Sequence, residues 1–196
     1  MGASTAFMDP LAKLFGSSTR VKLLRLFLFN DTEWFTSVGA ANRAKATKDS
    51  TRKEITGLVA MGLLRKKTGR GGPFFTVNPK FPHFESLRIF LRTSSGVDDA
   101  SIGHTLRKAG QLRLVALSGL FTGVPESKVD MLIVGDKLDE RALATIIHTL
   151  EAELGRELRY ASFTTEDFRY RVGVYDRLIR DVLDYPHRLV LDRIGV

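Results

Sequence analysis

Cysteine is absent from the 196 residues, tryptophan occurs once, and the four histidines, His83, His104, His148 and His187, stand far apart. Without thiols there is no disulfide, no cysteine nucleophile and no thiolate metal site. The histidine spacing matches no metal-ligand pattern, so no metal and no cofactor are expected. Long apolar runs are missing as well. Nothing reads as a transmembrane helix, a signal peptide or a basic amphipathic anchor, so no membrane partner is expected and the anticipated location is cytoplasmic. Neither a Walker loop nor a G-x-S-x-G elbow occurs. Adjacent Glu166 and Asp167 suit a helix start better than acid–base pairing, because neighbouring helical residues do not face each other. With 43% hydrophobic and 27% charged residues, the chain can still build one medium domain or two small ones with real cores.

Positive charge is present in excess, and it is confined to one half. Residues 1–93 hold sixteen Lys and Arg against six Asp and Glu, whereas the remainder holds fourteen against sixteen. A polyanion is the expected partner of the first half, since Lys and Arg release the counterions condensed on phosphates.

Thr47 to Asn78, reading TKDSTRKEITGLVAMGLLRKKTGRGGPFFTVN, concentrates that charge. Thr51, Ile55, Leu58 and Val59 recur at helical spacing and form one face. Asp49, Ser50, Arg52, Lys53 and Thr56 form the other. Thr47 suits the N-cap and Gly62 the position just past the C-terminus. Leu63 to Thr68 and Pro73 to Asn78 read as two strands joined by a glycine-rich turn, with Arg65, Lys66, Lys67 and Arg70 at or near the tip. Upstream, Ser18 to Phe29 and Thr36 to Ala44 read as helices, with Trp34 and Phe35 as core anchors. Helix, helix, basic helix and basic hairpin in this order are the layout of a winged helix. Major-groove contact is expected from Ser50, Arg52, Lys53 and Thr56. Phosphate contact is expected from Arg43 and Lys48, and contact at the flank from Lys66, Lys67 and Arg70.

Met1 to Asp9 reads as a frayed tail and Phe81 to Leu91 as a helix. Thr93 to Gly103, rich in Ser, Gly and Asp, marks a linker. The expected division is a DNA-binding domain at 1–93, a linker and connecting helix at 94–110, and a second domain at 111–196. In the latter, Leu112 to Leu117, Val129 to Val134 and Leu158 to Phe163 are strand candidates. Asp139 to Leu154, Thr165 to Arg171 and Tyr175 to Leu183 are helical, and a terminal segment runs from Arg188 to Ile194.

From Phe15 to Asn78 the chain resembles prokaryotic winged-helix regulators of the ArsR group. The stretch LSGLFTGVPESKVDMLIVG, Leu117 to Gly135, resembles the core of a minimal nucleotidyltransferase domain, whose pattern is Gly-Ser, then Arg-Gly, then Ser-Asp-x-Asp opening a strand. The resemblance implies an α+β chain: a winged helix-turn-helix domain followed by a small α/β nucleotidyltransferase-like domain. It also implies that Ser118, Gly119 and Asp130 occupy a nucleotide site. Nucleotidyl transfer needs clustered carboxylates to hold Mg²⁺. Here Asp130 matches the second acid, Lys128 stands in place of the first, Ser118-Gly119 is inverted, and Thr122 replaces the arginine. Glu157 is the only acid near the third strand.

The expected function is therefore sequence-specific binding of double-stranded DNA by a homodimeric transcriptional regulator. Its second domain is expected to be catalytically inactive and to serve dimerisation or the sensing of a small-molecule or protein effector. The rival readings are an active nucleotidyltransferase of the antitoxin type, targeted by its winged helix, and an interaction scaffold that does not bind DNA.

Overall fold

A computed structural model describes residues 10–94, 97–123 and 127–196; the segment read as a frayed tail, Ser95 and Gly96 of the linker, and residues 124–126 lie outside the described residues. The chain is a mixture of helices and strands. It divides into two compact units. One takes the residues up to Val97 together with His148–Arg156, and the other takes Asp98–Ile147 with Glu157–Val196.

The first unit begins with α1 (Leu11–Leu14) and α2 (Ser18–Phe29), followed by β1 (Phe35–Thr36), α3 (Ser37–Arg43) and α4 (Lys48–Ala60). Strands β2 (Leu64–Gly69) and β3 (Gly72–Val77) form a hairpin, and α5 (Phe84–Thr93) follows. The starts of α2, α3 and α4 share one cause. The hydroxyls of Ser17, Thr36 and Thr47 accept hydrogen bonds from the backbone N–H three residues on, satisfying donors a helix start leaves unpaired. The sheet order is β1-β3-β2, all antiparallel. Val21, Leu24, Phe27 and Leu28 of α2, Ile55 and Leu58 of α4, and Phe35, Phe75 and Val77 of the sheet join in one core. Each such side chain contributes about 1.5–3 kcal/mol on full burial. Helix α5 starts at Phe84 rather than Phe81 because Pro82 disfavours helical backbone at the residue before it.

Residues 148–156 complete this unit. The buried Arg25 donates from Nη1 to the carbonyl of Glu153 at 3.0 Å, and Asn30 donates to the carbonyl of Gly155 at 2.7 Å. Lys22 pairs with the Glu153 carboxylate at 2.9 Å. A Cβ on Gly155, whose φ is +71°, would lie 2.6 Å from the Arg25 backbone, so the close approach requires glycine.

The second unit holds α6 (Asp99–Leu106), β4 (Gln111–Leu117), β5 (Met131–Asp136), the start of α7 (Glu140–Leu154), β6 (Tyr160–Phe163), α8 (Thr165–Gly173), α9 (Arg177–Leu183) and β7 (Arg188–Asp192). The segment read as a linker up to Gly103 is helical from Asp99, because Asp98 accepts from the Ser101 N–H at 2.6 Å and caps it. Its Ser and Asp content signalled a helix start as much as a loop. The sheet runs β6-β5-β4-β7, with β5 and β6 parallel and the other pairs antiparallel. Leu114, Ala116, Leu132 and Val134 pack with Phe168 of α8 and with Ile179 and Val182 of α9. Val115, Leu117, Met131 and Ile133 on the opposite face are buried too, so the central strands lie in the interior.

Candidate nucleic-acid interface

Helix α4 has two chemically distinct faces. Thr51, Glu54, Ile55 and Leu58 are buried, whereas Lys48, Arg52, Lys53 and Thr56 are exposed. Glu54 escaped the sequence reading. Its position belongs to the packing stripe by helical spacing, and it is held there by Arg20 of α2, whose Nε lies 2.7 Å from the carboxylate. That charged bond fixes the helix against α2 from the side opposite the exposed cations. Ser50 departs from the expected set. It is half-buried and its hydroxyl donates to Thr19 of α2 at 3.0 Å, because it sits at the edge where the two helices meet. The Thr56 hydroxyl donates to the Arg52 carbonyl at 2.9 Å, so its remaining capacity is that of an acceptor. Arg52 approaches Asp49 at 3.8 Å with both side chains largely exposed, a weak pairing that leaves the guanidinium available. Arg43 is half-buried in the last turn of α3. The Thr47 cap directs the entry of α4, and Thr47→Ala is expected to cost about 1 kcal/mol, read as a lower midpoint in denaturant.

The register of the hairpin divides its cations between two surfaces. Leu64, Lys66 and Thr68 face one way, opposite Val77 and Phe75, while Arg65 and Lys67 face the other, opposite Thr76 and Phe74. Arg70 and Gly71 form the two-residue tip, where Gly71 and Gly72 have φ of +96° and +120°. Trp34 is a correction to the expected core anchor. Phe35 is buried, but Trp34, just before β1, is only half-buried. The Lys67 ammonium sits 3.9 Å from the Trp34 ring centroid and the Arg65 guanidinium 5.9 Å away, a cation–π contact that orders both side chains.

No family model, curated protein or solved structure matches the chain.

Ser118, Gly119 and Asp130 are brought together, joined by the backbone bond from Ser118 N to the Asp130 carbonyl at 2.9 Å, and their side-chain polar atoms are taken up by neighbouring residues. Asp130 is buried, and its carboxylate accepts from Leu120 N at 2.8 Å and from Arg159 N, Nε and Nη2 at 2.9, 3.1 and 3.0 Å. A carboxylate has about four lone-pair sites, so these bonds fill it. Burial opposes its ionisation, but the hydrogen bonds from the Arg159 side chain and backbone and from Leu120 outweigh it and hold the pKa below the ordinary carboxylate range. Ser118 donates to the Val129 carbonyl at 2.6 Å, and Ser127 donates to the same oxygen at 2.7 Å. Gly119 has φ of +50°, and a Cβ there would overlap the Asp130 carboxylate. Lys128 is directed away to Asp181 at 3.3 Å, and Glu157 is exposed ahead of β6. Among the described residues no cluster of three or more His, Asp or Glu could hold a metal, and no helix is long and apolar enough to cross a membrane. Arg159 was missed because its partner lies 29 residues away and no local pattern marks it.

Proposed function

We propose that the chain is a sequence-specific double-stranded DNA-binding regulator of transcription whose first unit is a winged helix-turn-helix. The observation that supports this most directly is α4, anchored through Glu54 and Ile55 and presenting Arg52, Lys53 and Lys48 to solvent, followed at once by a cationic hairpin. Helix α4 enters the major groove, with Arg52 as the base-reading residue, because a guanidinium can bond guanine in bidentate fashion. The hairpin is a thin ribbon with Lys66 on one face and Lys67 and Arg65 on the other, which suits insertion between two phosphate strands better than lying on one of them. The protein acts as a homodimer with its α4 helices about 34 to 36 Å apart on an inverted repeat. Exposed Ile89 and Phe90 on α5 supply apolar surface for pairing.

The second unit, in this reading, is a nucleotidyltransferase-like fold without transfer chemistry. Its supporting observation is the saturated Asp130 carboxylate. Selection from a random duplex pool, followed by anisotropy titrations, tests the DNA assignment. Arg52→Ala is expected to lose discrimination between selected and scrambled duplexes by roughly 1–3 kcal/mol at the contacted base pair. Lys67→Ala is expected to weaken all duplexes alike and to reduce the salt slope by about 0.9. Equal losses on every sequence for Arg52→Ala would remove its assigned role.

A further inference from the structure

The second unit contains a concentration of positive charge that the DNA-binding reading does not use. Arg107, Arg113 and Arg193 line one concavity of about 200 Å³, whose walls also include Gly110, Gln111 and Leu191. It lies at the Gln111 end of β4, whereas Ser118 and Asp130 lie beyond the other end of that strand. Arg113 donates from Nε to Asp136 at 3.1 Å. Arg107 and Arg193 have no carboxylate partner among the described residues. Three guanidiniums thus share one concavity with one counter-carboxylate, an excess of positive charge that an anion would neutralise.

The backbone gathers these arginines. On β4, Leu112 pairs with Gly135 and Leu114 with Val134, so Arg113 is the extra residue of a β-bulge. A bulge re-aims the side chain it carries. Arg193 follows β7, and its N–H donates to the Arg113 carbonyl at 2.8 Å, which sets the two residues side by side. Arg107 opens the single turn of 3₁₀ helix that leads through Gly110 into β4. A Cβ on Gly110 would lie 2.7 Å from the Lys137 carbonyl, and one on Gly135 would lie 2.7 Å from the Gln111 carbonyl. The main chain at the base of the concavity is thus closely packed, and the three side chains extend from it.

We propose that this concavity is a binding site for a small phosphorylated ligand, gripping a phosphate or pyrophosphate group between Arg107, Arg113 and Arg193. Three guanidiniums less the Asp136 carboxylate leave two positive charges, matching a phosphate monoester near neutral pH. Planar guanidinium forks pair with phosphate oxygens two at a time. The volume is below the roughly 300–1,000 Å³ of pockets that enclose drug-sized molecules, so the anionic group is held and any remainder of the ligand extends into solvent. A concave site of this size also favours a small anion over the continuous backbone of a duplex. The proposal does not rest on DNA binding by the first unit.

Calorimetric titration of the full chain with inorganic pyrophosphate at physiological salt tests it. Saturable one-site binding is expected, at least tenfold weaker in Arg107→Ala and in Arg193→Ala, neither of which removes a salt bridge. Pyrophosphate should raise the Tm of the wild type and not that of the double variant, since ligand binding to the folded state alone stabilises it. Non-saturable binding, binding unchanged by both substitutions, or binding no tighter than that of sulfate would overturn the proposal. So would a double variant that loses duplex affinity when the wild type shows no pyrophosphate binding, because the arginines would then serve nucleic acid.

Discussion

Replacing Lys66, Lys67 and Arg70 together with alanine is expected to lower affinity for every duplex by on the order of 100-fold at physiological salt, and to flatten the salt slope by about 2.7. The three residues are exposed at and beside the hairpin tip, where truncation opens no cavity in the core. The loss should therefore appear mainly in binding and salt dependence, with stability lowered only by the loss of the Lys67–Trp34 cation–π contact, about 0.5–1 kcal/mol. Anisotropy titrations over a salt series measure both quantities. The register makes the single variants informative as well. Lys66 and Lys67 project from opposite faces, so a hairpin seated in a groove should lose a similar slope with either one. A slope that changes with only one of them would mean the hairpin lies flat on the backbone. No change with all three would remove the hairpin from the interface.

The largest effect on stability is expected from Gly119→Ala. The substitution forces a side chain onto left-handed backbone at φ of +50° and drives its Cβ into the Asp130 carboxylate. Either the carboxylate must move off Leu120 and Arg159, or the β4–β5 connection must shift. Dislodging a buried, hydrogen-bonded charge costs roughly 3 kcal/mol after allowance for Arg159 being half-exposed. For a chain of this length that is about 6–12 °C in Tm. Asp130→Asn should fall in the same direction and carries a pH signature. Because the folded-state pKa of Asp130 is depressed, its stabilisation is fully present above the unfolded-state pKa and is lost as pH falls through the folded-state value. The gap in Tm between wild type and Asp130→Asn should thus close as the solution is acidified below the ordinary carboxylate range. A gap independent of pH, or an unaltered Tm for Gly119→Ala, would show that the carboxylate does not hold this connection.

Local chemistry made much of the secondary structure legible. Thr47 before Asp49 and Gly62 after Met61 are short-range signals whose partners lie within a few residues. The helix from Ser18 to Phe29 and the hairpin strands follow from periodicity and turn residues of the same kind. The features that escaped depend on pairings distant in sequence. Glu54 is buried because Arg20 meets it across 34 residues, and Trp34 stays at the surface because its ring packs against Lys67 of the distant hairpin. The candidate DNA-contact residues were visible by type and spacing, yet the division of the hairpin cations between two faces required a register. Arg113 belongs to the same class, since a bulge is a mismatch between two strands and neither strand reveals it alone.

Residues 148–156 fold with a unit whose remaining residues end at Val97. They receive hydrogen bonds from Arg25 and Asn30 of that unit and press a glycine against α2. This unit is therefore one block in space and two blocks in the gene. A fragment ending at Val97 would keep every residue proposed to touch DNA and the bond from Arg25 Nη2 to the Ser94 carbonyl, but would lose the bond from Arg25 Nη1 to the Glu153 carbonyl and the Lys22–Glu153 ion pair. Any exchange of one half of the gene would therefore have to supply a segment that restores these contacts.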